Sequence, residues 1–147
     1  MTQIRNNDRM VFDDAELAGE MWARVHSFLP TLDGQIACGV DSQLRIYRYS
    51  LGQQFKRHKD GAVTNESGQT SKLSYLIYLN DDCDGGSTTF RDYRDVNGTR
   101  EKIEFIVMPA TGTALLFRHE RWHEGTPVVT GAKYVLRTDV FYSTDCK

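Results

Sequence analysis

From Leu44 onward the chain changes its period. Leu44-Arg45-Ile46-Tyr47-Arg48-Tyr49 alternates apolar or aromatic side chains with charged ones, a pattern that a strand with one buried face sorts cleanly. Similar β-favouring runs return at Ser71–Asn80, Ser87–Phe90, Arg91–Val96, Lys102–Val107 and Thr113–Phe117, and Val128–Tyr142 holds the last strand, Lys133–Tyr142. Turn residues punctuate them: Asp84-Gly85-Gly86, Pro109–Gly112, and the hairpin dipeptide Asn97-Gly98. No helical crossover separates these strands, which argues against a parallel α/β sheet. A mostly β chain of this kind closes as an antiparallel roll of two sheets.

Ahead of the strands lies one helix. Met10-Val11-Phe12 reads as a short strand or an extended lead-in, and Asp13 or Asp14 as the N-cap. Leu17, Met21 and Val25 then recur every four residues, with Ala18, Trp22 and Leu29 in an adjacent row. The spacing predicts a helix from Ala15 to Phe28, stopped by Pro30. His26 reads as a partly exposed residue of that helix. The whole of 1–147 reads as one domain with a single packing helix, a monomer or weak homo-oligomer.

Composition narrows the setting. With 39% apolar and 26% charged residues the chain is ordinary for a folded protein. No run approaches the roughly 18 apolar residues of a membrane span, and the first fourteen residues lack the apolar stretch of a signal peptide. A net charge of −2 offers no basic face for nucleic acid. Cys38, Cys83 and Cys146 are odd in number and widely spaced, which predicts free thiols in a reducing, cytoplasmic compartment.

Two polar clusters carry chemistry. His58 and Asp60 are two apart just after the Tyr47–Tyr49 strand, so on extended backbone their side chains point the same way. With His123 they compose a 2-His-1-carboxylate set, the ligand pattern of non-haem Fe(II) oxygenases. His123 also closes His119-Glu120-Arg121-Trp122-His123, which spells the HExxH of zinc hydrolases. That motif needs a helix, and here a β-rich run precedes it while Gly125 and Pro127 follow. Lys133, Val135, Arg137 and Asp139 share one face of the last strand. Taken by itself, such a charged row reads as solvated, although it has the chemistry to bind an anion.

The segments RIYRYSLGQQFKRHKD, SKLSYLIYLND, GGSTTF, P-x-x-G-T-A-L-L-F and HEGTPVVTGAKYVLRTDVFY occur in order over about residues 44 to 142. Together they resemble the prolyl 4-hydroxylase-like branch of the Fe(II)/2-oxoglutarate dioxygenases. The resemblance implies a double-stranded β-helix, or jelly roll. It implies that His58, Asp60 and His123 bind Fe(II), and that Lys133 pairs with the distal (C5) carboxylate of 2-oxoglutarate, with Arg137 as the alternative partner. Tyr78 resembles the tyrosine that shares that carboxylate, and Tyr49 one that lines the pocket. The implied reaction consumes 2-oxoglutarate and O2, releases succinate and CO2 and hydroxylates a C–H bond, with ascorbate as reductant. A peptidyl residue such as proline is the expected substrate. A free amino acid or small metabolite is the alternative, and a non-catalytic jelly-roll binding module stands behind both. Arg5, Asn7 and Arg9 are expected to contact substrate, and the Gly61–Thr70 loop to act as a mobile lid.

Overall fold

The computed structural model describes residues 5–146. Among them lie β1 (Asp8–Asp13), α1 (Ala15–Val25) with a 3-10 turn at His26–Phe28, β2 (Ile36–Val40), β3 (Gln43–Tyr49), β4 (Phe55–His58) and β5 (Thr70–Tyr78). The remainder forms β6 (Asp84–Gly85), β7 (Thr88–Val96), β8 (Thr99–Val107), β9 (Ala114–Arg118), β10 (His123–Gly125), β11 (Val128–Thr130) and β12 (Lys133–Ser143).

The larger sheet runs β1-β3-β12-β5-β9, and β2 takes over from β3 along the second half of β12. The smaller sheet runs β4-β10-β7-β8, and β6 pairs with β11. Strands far apart in sequence lie side by side with antiparallel pairing, as β5 does with β12 and β4 with β10. This is the jelly roll that the strand pattern predicts.

Helix α1 starts where the Asp14 carboxylate accepts from Leu17 N–H at 2.9 Å, which satisfies one of the free donors of the first turn. Its stripe of Ala18, Met21 and Val25 is buried, Met21 and Val25 against Leu44, Leu73, Tyr75, Leu136, Val140 and Tyr142 of the larger sheet. Burying Met21 and Val25 contributes about 1.5–3 kcal/mol each. Tyr75 Oη donates to the Met21 carbonyl at 3.2 Å and Tyr142 Oη to the Pro30 carbonyl at 3.0 Å, so the sheet holds both the helix and its exit. The helix ends three residues earlier than its apolar spacing predicts, because His26–Phe28 tightens into the 3-10 turn.

Two further expectations need correction. Asn97 and Gly98 form the predicted hairpin turn, with φ of 52° and 80°, but β7 runs unbroken from Thr88 to Val96 instead of splitting at Arg91. The last strand, β12, begins at Lys133 as the pattern predicts, after Gly131 at φ 76° turns the chain out of β11. Cys38 and Cys146 are not free thiols. They form a disulfide across 108 residues, leaving Cys83 alone unpaired among the described residues. The bond ties β2 to the segment that follows β12, and bonds of this type persist in oxidising surroundings rather than reducing ones. Cys38→Ser is expected to lower stability by about 2–5 kcal/mol in denaturant titrations run without reductant. With excess thiol the variant and the parent should converge. No helix among the described residues is long and apolar enough to cross a membrane.

Candidate active site

His58 ends β4 and His123 begins β10, and the two are direct partners across that antiparallel pair. Asp60 follows two residues after His58, anchored by its amide on the His119 carbonyl at 3.0 Å. Asp60 Oδ1 lies 3.2 Å from His58 Nε2 and 3.5 Å from His123 Nε2. One donor atom from each of the three residues falls within 4.8 Å of the others. Each histidine is oriented from behind: Nδ1 of His58 is 2.7 Å from the Lys56 carbonyl and Nδ1 of His123 is 2.9 Å from the Arg121 carbonyl. A carbonyl only accepts, so Nδ1 carries the proton on both rings and the Nε2 lone pairs converge on Asp60. Phe55 stacks flat on His58, and Phe117 meets His123 edge-on.

Charge suits the arrangement as well. Burial pushes the His123 imidazole below its ordinary value and so favours the neutral, ligating form. Burial opposes the Asp60 charge too, but the Arg137 guanidinium and the Ser74 hydroxyl beside the carboxyl help to outweigh that penalty and hold it well below the usual range. Two neutral imidazoles and an ionised carboxylate facing one point fit a divalent metal of the Fe(II) type.

The charged row on β12 is not solvated. Because β12 lies between β3 and β5, Lys133, Val135, Arg137 and Asp139 are 2%, 4%, 8% and 2% exposed. The burial is tolerated because much of the charge is paired: Arg137 lies 3.2 Å from Asp139 and 3.5 Å from Asp60. Lys133 differs. Its ammonium donates to the Gly86 carbonyl at 2.9 Å and sits 4.3 Å above the Tyr49 ring, with no carboxylate in ion-pair range among the described residues. Burial pushes it down to about 8. Gly86, at φ 69°, lets the backbone come this close, since a Cβ there would stand 3.1 Å from Lys133 Cδ.

One cavity collects these groups. Its lining includes His58, Asp60, His123, Tyr49, Lys133 and Arg137. Tyr78 is fully buried and stands behind the wall, its hydroxyl 2.6 Å from that of Thr88, which does line the cavity. Arg5 lies at the cavity's edge, with its guanidinium 4.8 Å from the Phe55 ring centroid and 5.5 Å from that of Tyr47. Asn7 bonds the Asp8 carbonyl and Arg9 is exposed on β1, and neither lines the cavity. Residues 61–70 form a hydrogen-bonded turn in which the Asn65 carboxamide holds both Ser67 and Gln69.

Thr88, Phe55 and Ser74 were not legible as site residues. Thr88 is one of three hydroxyl residues in a row, and nothing local distinguishes it. Ser74 reads as an ordinary strand residue, yet its hydroxyl donates to Asp60 Oδ2 at 2.6 Å. The HExxH spelling is a coincidence of letters. Residues 119–122 turn and His123 enters β10, so no helix puts the two histidines on one face. His119 Nδ1 and Nε2 are bonded to Ser74 and Ser71, while Glu120 is exposed against Arg118. Glu120→Gln should therefore leave 2-oxoglutarate turnover unchanged in a succinate assay. A collapse of activity would restore Glu120 as a general base.

Residues 44–138 match the family model of the 2OG-Fe(II) oxygenase superfamily. The chain belongs to that superfamily, and it is a 2-oxoglutarate-dependent dioxygenase by class. No match to a curated protein is found by sequence. Among solved structures, the viral collagen prolyl hydroxylase of Paramecium Bursaria Chlorella virus-1, in its 2-oxoglutarate complex, is similar with a TM-score of 0.63 and 19% identity, over 93% of this chain and 79% of that one. The Pseudomonas putida prolyl-4-hydroxylase gives 0.62 and 21%, over 95% and 73%. A Trichoplax adhaerens prolyl hydroxylase, solved with a hypoxia inducible factor peptide, gives 0.65 and 18%, over 95% and 66%. At these identities the likeness establishes the shared fold.

Proposed function

We propose that this chain hydroxylates a C–H bond of a peptidyl residue, with proline the leading candidate, and that its cavity binds Fe(II) and 2-oxoglutarate in one orientation. The observation that carries the reading is Lys133. A buried ammonium without a carboxylate is costly, and it lines the same cavity as a 2-His-1-carboxylate set. A dicarboxylate that meets the metal at one end and Lys133 at the other satisfies both.

In this reading His58, Asp60 and His123 hold the ferrous ion, which supplies the activation of O2 and the oxidative decarboxylation of 2-oxoglutarate to succinate and CO2. The chain's own residues do the positioning. Lys133 neutralises the distal carboxylate, and Tyr49 braces the lysine from its ring face. The hydroxyl of Thr88, backed by Tyr78, offers a hydrogen bond inside the cavity. Arg137 keeps Asp60 ionised and is already engaged by two carboxylates, which favours Lys133 over it as the carboxylate partner. Phe55, Phe117 and Val135 give the wall apolar surface that excludes water from the reacting centre. Ascorbate is the proposed reductant for oxidised iron.

Peptide substrates are supported by two of the similar structures, a viral collagen prolyl hydroxylase and a prolyl hydroxylase in complex with a hypoxia inducible factor peptide. The aromatic edge formed by Tyr47 and Phe55 under Arg5 suits an apolar ring such as proline's. Succinate release under Fe(II), 2-oxoglutarate and O2 should rise several-fold on adding a proline-rich peptide library, with products gaining one oxygen in mass. Stimulation by free amino acids alone would move the assignment to a small-metabolite hydroxylase.

A further inference from the structure

His119 is buried and belongs to no ligand set, yet both of its ring nitrogens are engaged. Nδ1 lies 2.9 Å from Ser74 Oγ and Nε2 lies 2.8 Å from Ser71 Oγ. Ser74 Oγ in turn sits 2.6 Å from Asp60 Oδ2. Proton accounting gives these contacts a direction. An ionised carboxylate only accepts, so the single Ser74 hydrogen goes to Asp60. Toward His119 the Ser74 oxygen must then accept, and Nδ1 must carry the ring hydrogen. Nε2 is left to accept from the Ser71 hydroxyl, whose oxygen accepts the Val63 amide at 3.0 Å. Every hydrogen in the chain from Val63 to Asp60 has one place.

We infer that His119 is a positioning residue for the metal centre: through Ser74 it pins Asp60 Oδ2, so that Oδ1 alone is turned toward His58 and His123. The inference rests on the reading of His58, Asp60 and His123 as metal ligands. Two geometric facts support it. Ser74 is on β5 of the larger sheet, whereas Asp60 follows β4 of the smaller one, so the hydroxyl ties the carboxylate across the roll. The backbone repeats the tie, since the His119 carbonyl accepts the Asp60 amide at 3.0 Å and the His119 amide donates to Lys72 at 3.1 Å. His119 thus fixes the main chain and the far oxygen of the same ligand. Without the ring hydrogen on its oxygen, Ser74 can rotate away, and the carboxylate gains a second orientation that presents both oxygens or neither.

The test uses substitutions that keep one end of the imidazole. His119→Asn puts an amide N–H near Nδ1 and can still donate to Ser74. His119→Gln puts its amide near Nε2 and keeps only the Ser71 contact. Ser74→Ala removes the link with the loss of one oxygen. Mn(II) affinity is measured by the free-ion electron paramagnetic resonance signal, without 2-oxoglutarate or substrate, together with the melting temperature of each metal-free protein. Losing an outer partner of a metal ligand typically costs about 10–100-fold in metal affinity. Losses in that range are expected for His119→Gln and Ser74→Ala, with His119→Asn within about 3-fold of the parent. Equal Mn(II) affinity in the Asn and Gln variants, at whatever level, would overturn the inference, as would a folded Ser74→Ala that binds like the parent. Absence of oxygenase activity with intact Mn(II) binding would strike the proposed function and leave this inference standing. Loss of Mn(II) binding by the parent itself would strike both.

Discussion

His58→Ala should abolish succinate formation and weaken Mn(II) or Fe(II) binding by more than about 100-fold, beyond the loss typical of an outer partner. The reason lies in what His58 contributes. It supplies one Nε2 lone pair and no structural charge, so its removal leaves the buried network of Asp60, Arg137 and Asp139 in place. The folded protein forfeits mainly the Phe55 stacking, and its metal-free melting temperature should fall by only a few degrees. Asp60→Asn makes the informative contrast. It removes a ligand and one of the two carboxylates that hold Arg137, so it should lose metal binding and stability together. Calorimetry of the metal-free proteins beside Mn(II) titration separates the two effects. Normal succinate release from His58→Ala would leave the metal assignment without support.

Lys133→Ala is expected to raise the KM for 2-oxoglutarate by about 100-fold or more, because a charge-assisted bond inside a cavity is worth about 1.5–3 kcal/mol and a carboxylate left unpaired there costs more. Arg137→Ala should act differently, depressing kcat and metal affinity more than KM, since Arg137 faces Asp60 and Asp139. A larger KM effect at Arg137 would exchange the two roles. The same lysine predicts a pH profile. Burial holds it at about 8 against an ordinary 10.5, so in the empty cavity its charge is present below pH 8 and lost above it. Affinity for 2-oxoglutarate should therefore fall as pH rises past 8, approaching ~10-fold per unit when the bound carboxylate keeps the lysine charged. In Lys133→Ala that slope should vanish. The metal-free fold should show the opposite trend. Between pH 8 and 10.5 the unfolded chain binds the proton that the folded one has released, so stability rises with pH over that window.

The convergence of His58, Asp60 and His123 was legible because two of them sit in one local pattern and the third follows a recognisable strand. The strands that seat them were not. β4 and β10 are four and three residues long, Phe55–His58 and His123–Gly125, too short for any period to register. What makes them strands is their pairing with each other and with β7. The inner face of β12 misleads for a related reason. Lysine, arginine and aspartate two apart look like a wet edge, and only the central place of the strand, with Asp60 arriving from another sheet, makes that face interior. The Cys38–Cys146 bond is not legible locally because its partners are separated by 108 residues. Position in a sheet order is a long-range property, and local chemistry alone does not carry it.

The four buried charges around the cavity have one more consequence. Asp60 and Asp139 are balanced by Arg137 and Lys133, so the empty site is electrically neutral as a whole although it is polarised from end to end. A ferrous ion brings two positive charges and 2-oxoglutarate two negative ones. Either guest alone leaves an excess of two charges in a medium that screens poorly, whereas the pair restores the balance. The two guests are thus expected to recruit each other, with the affinity of each raised by the same factor when its companion is bound.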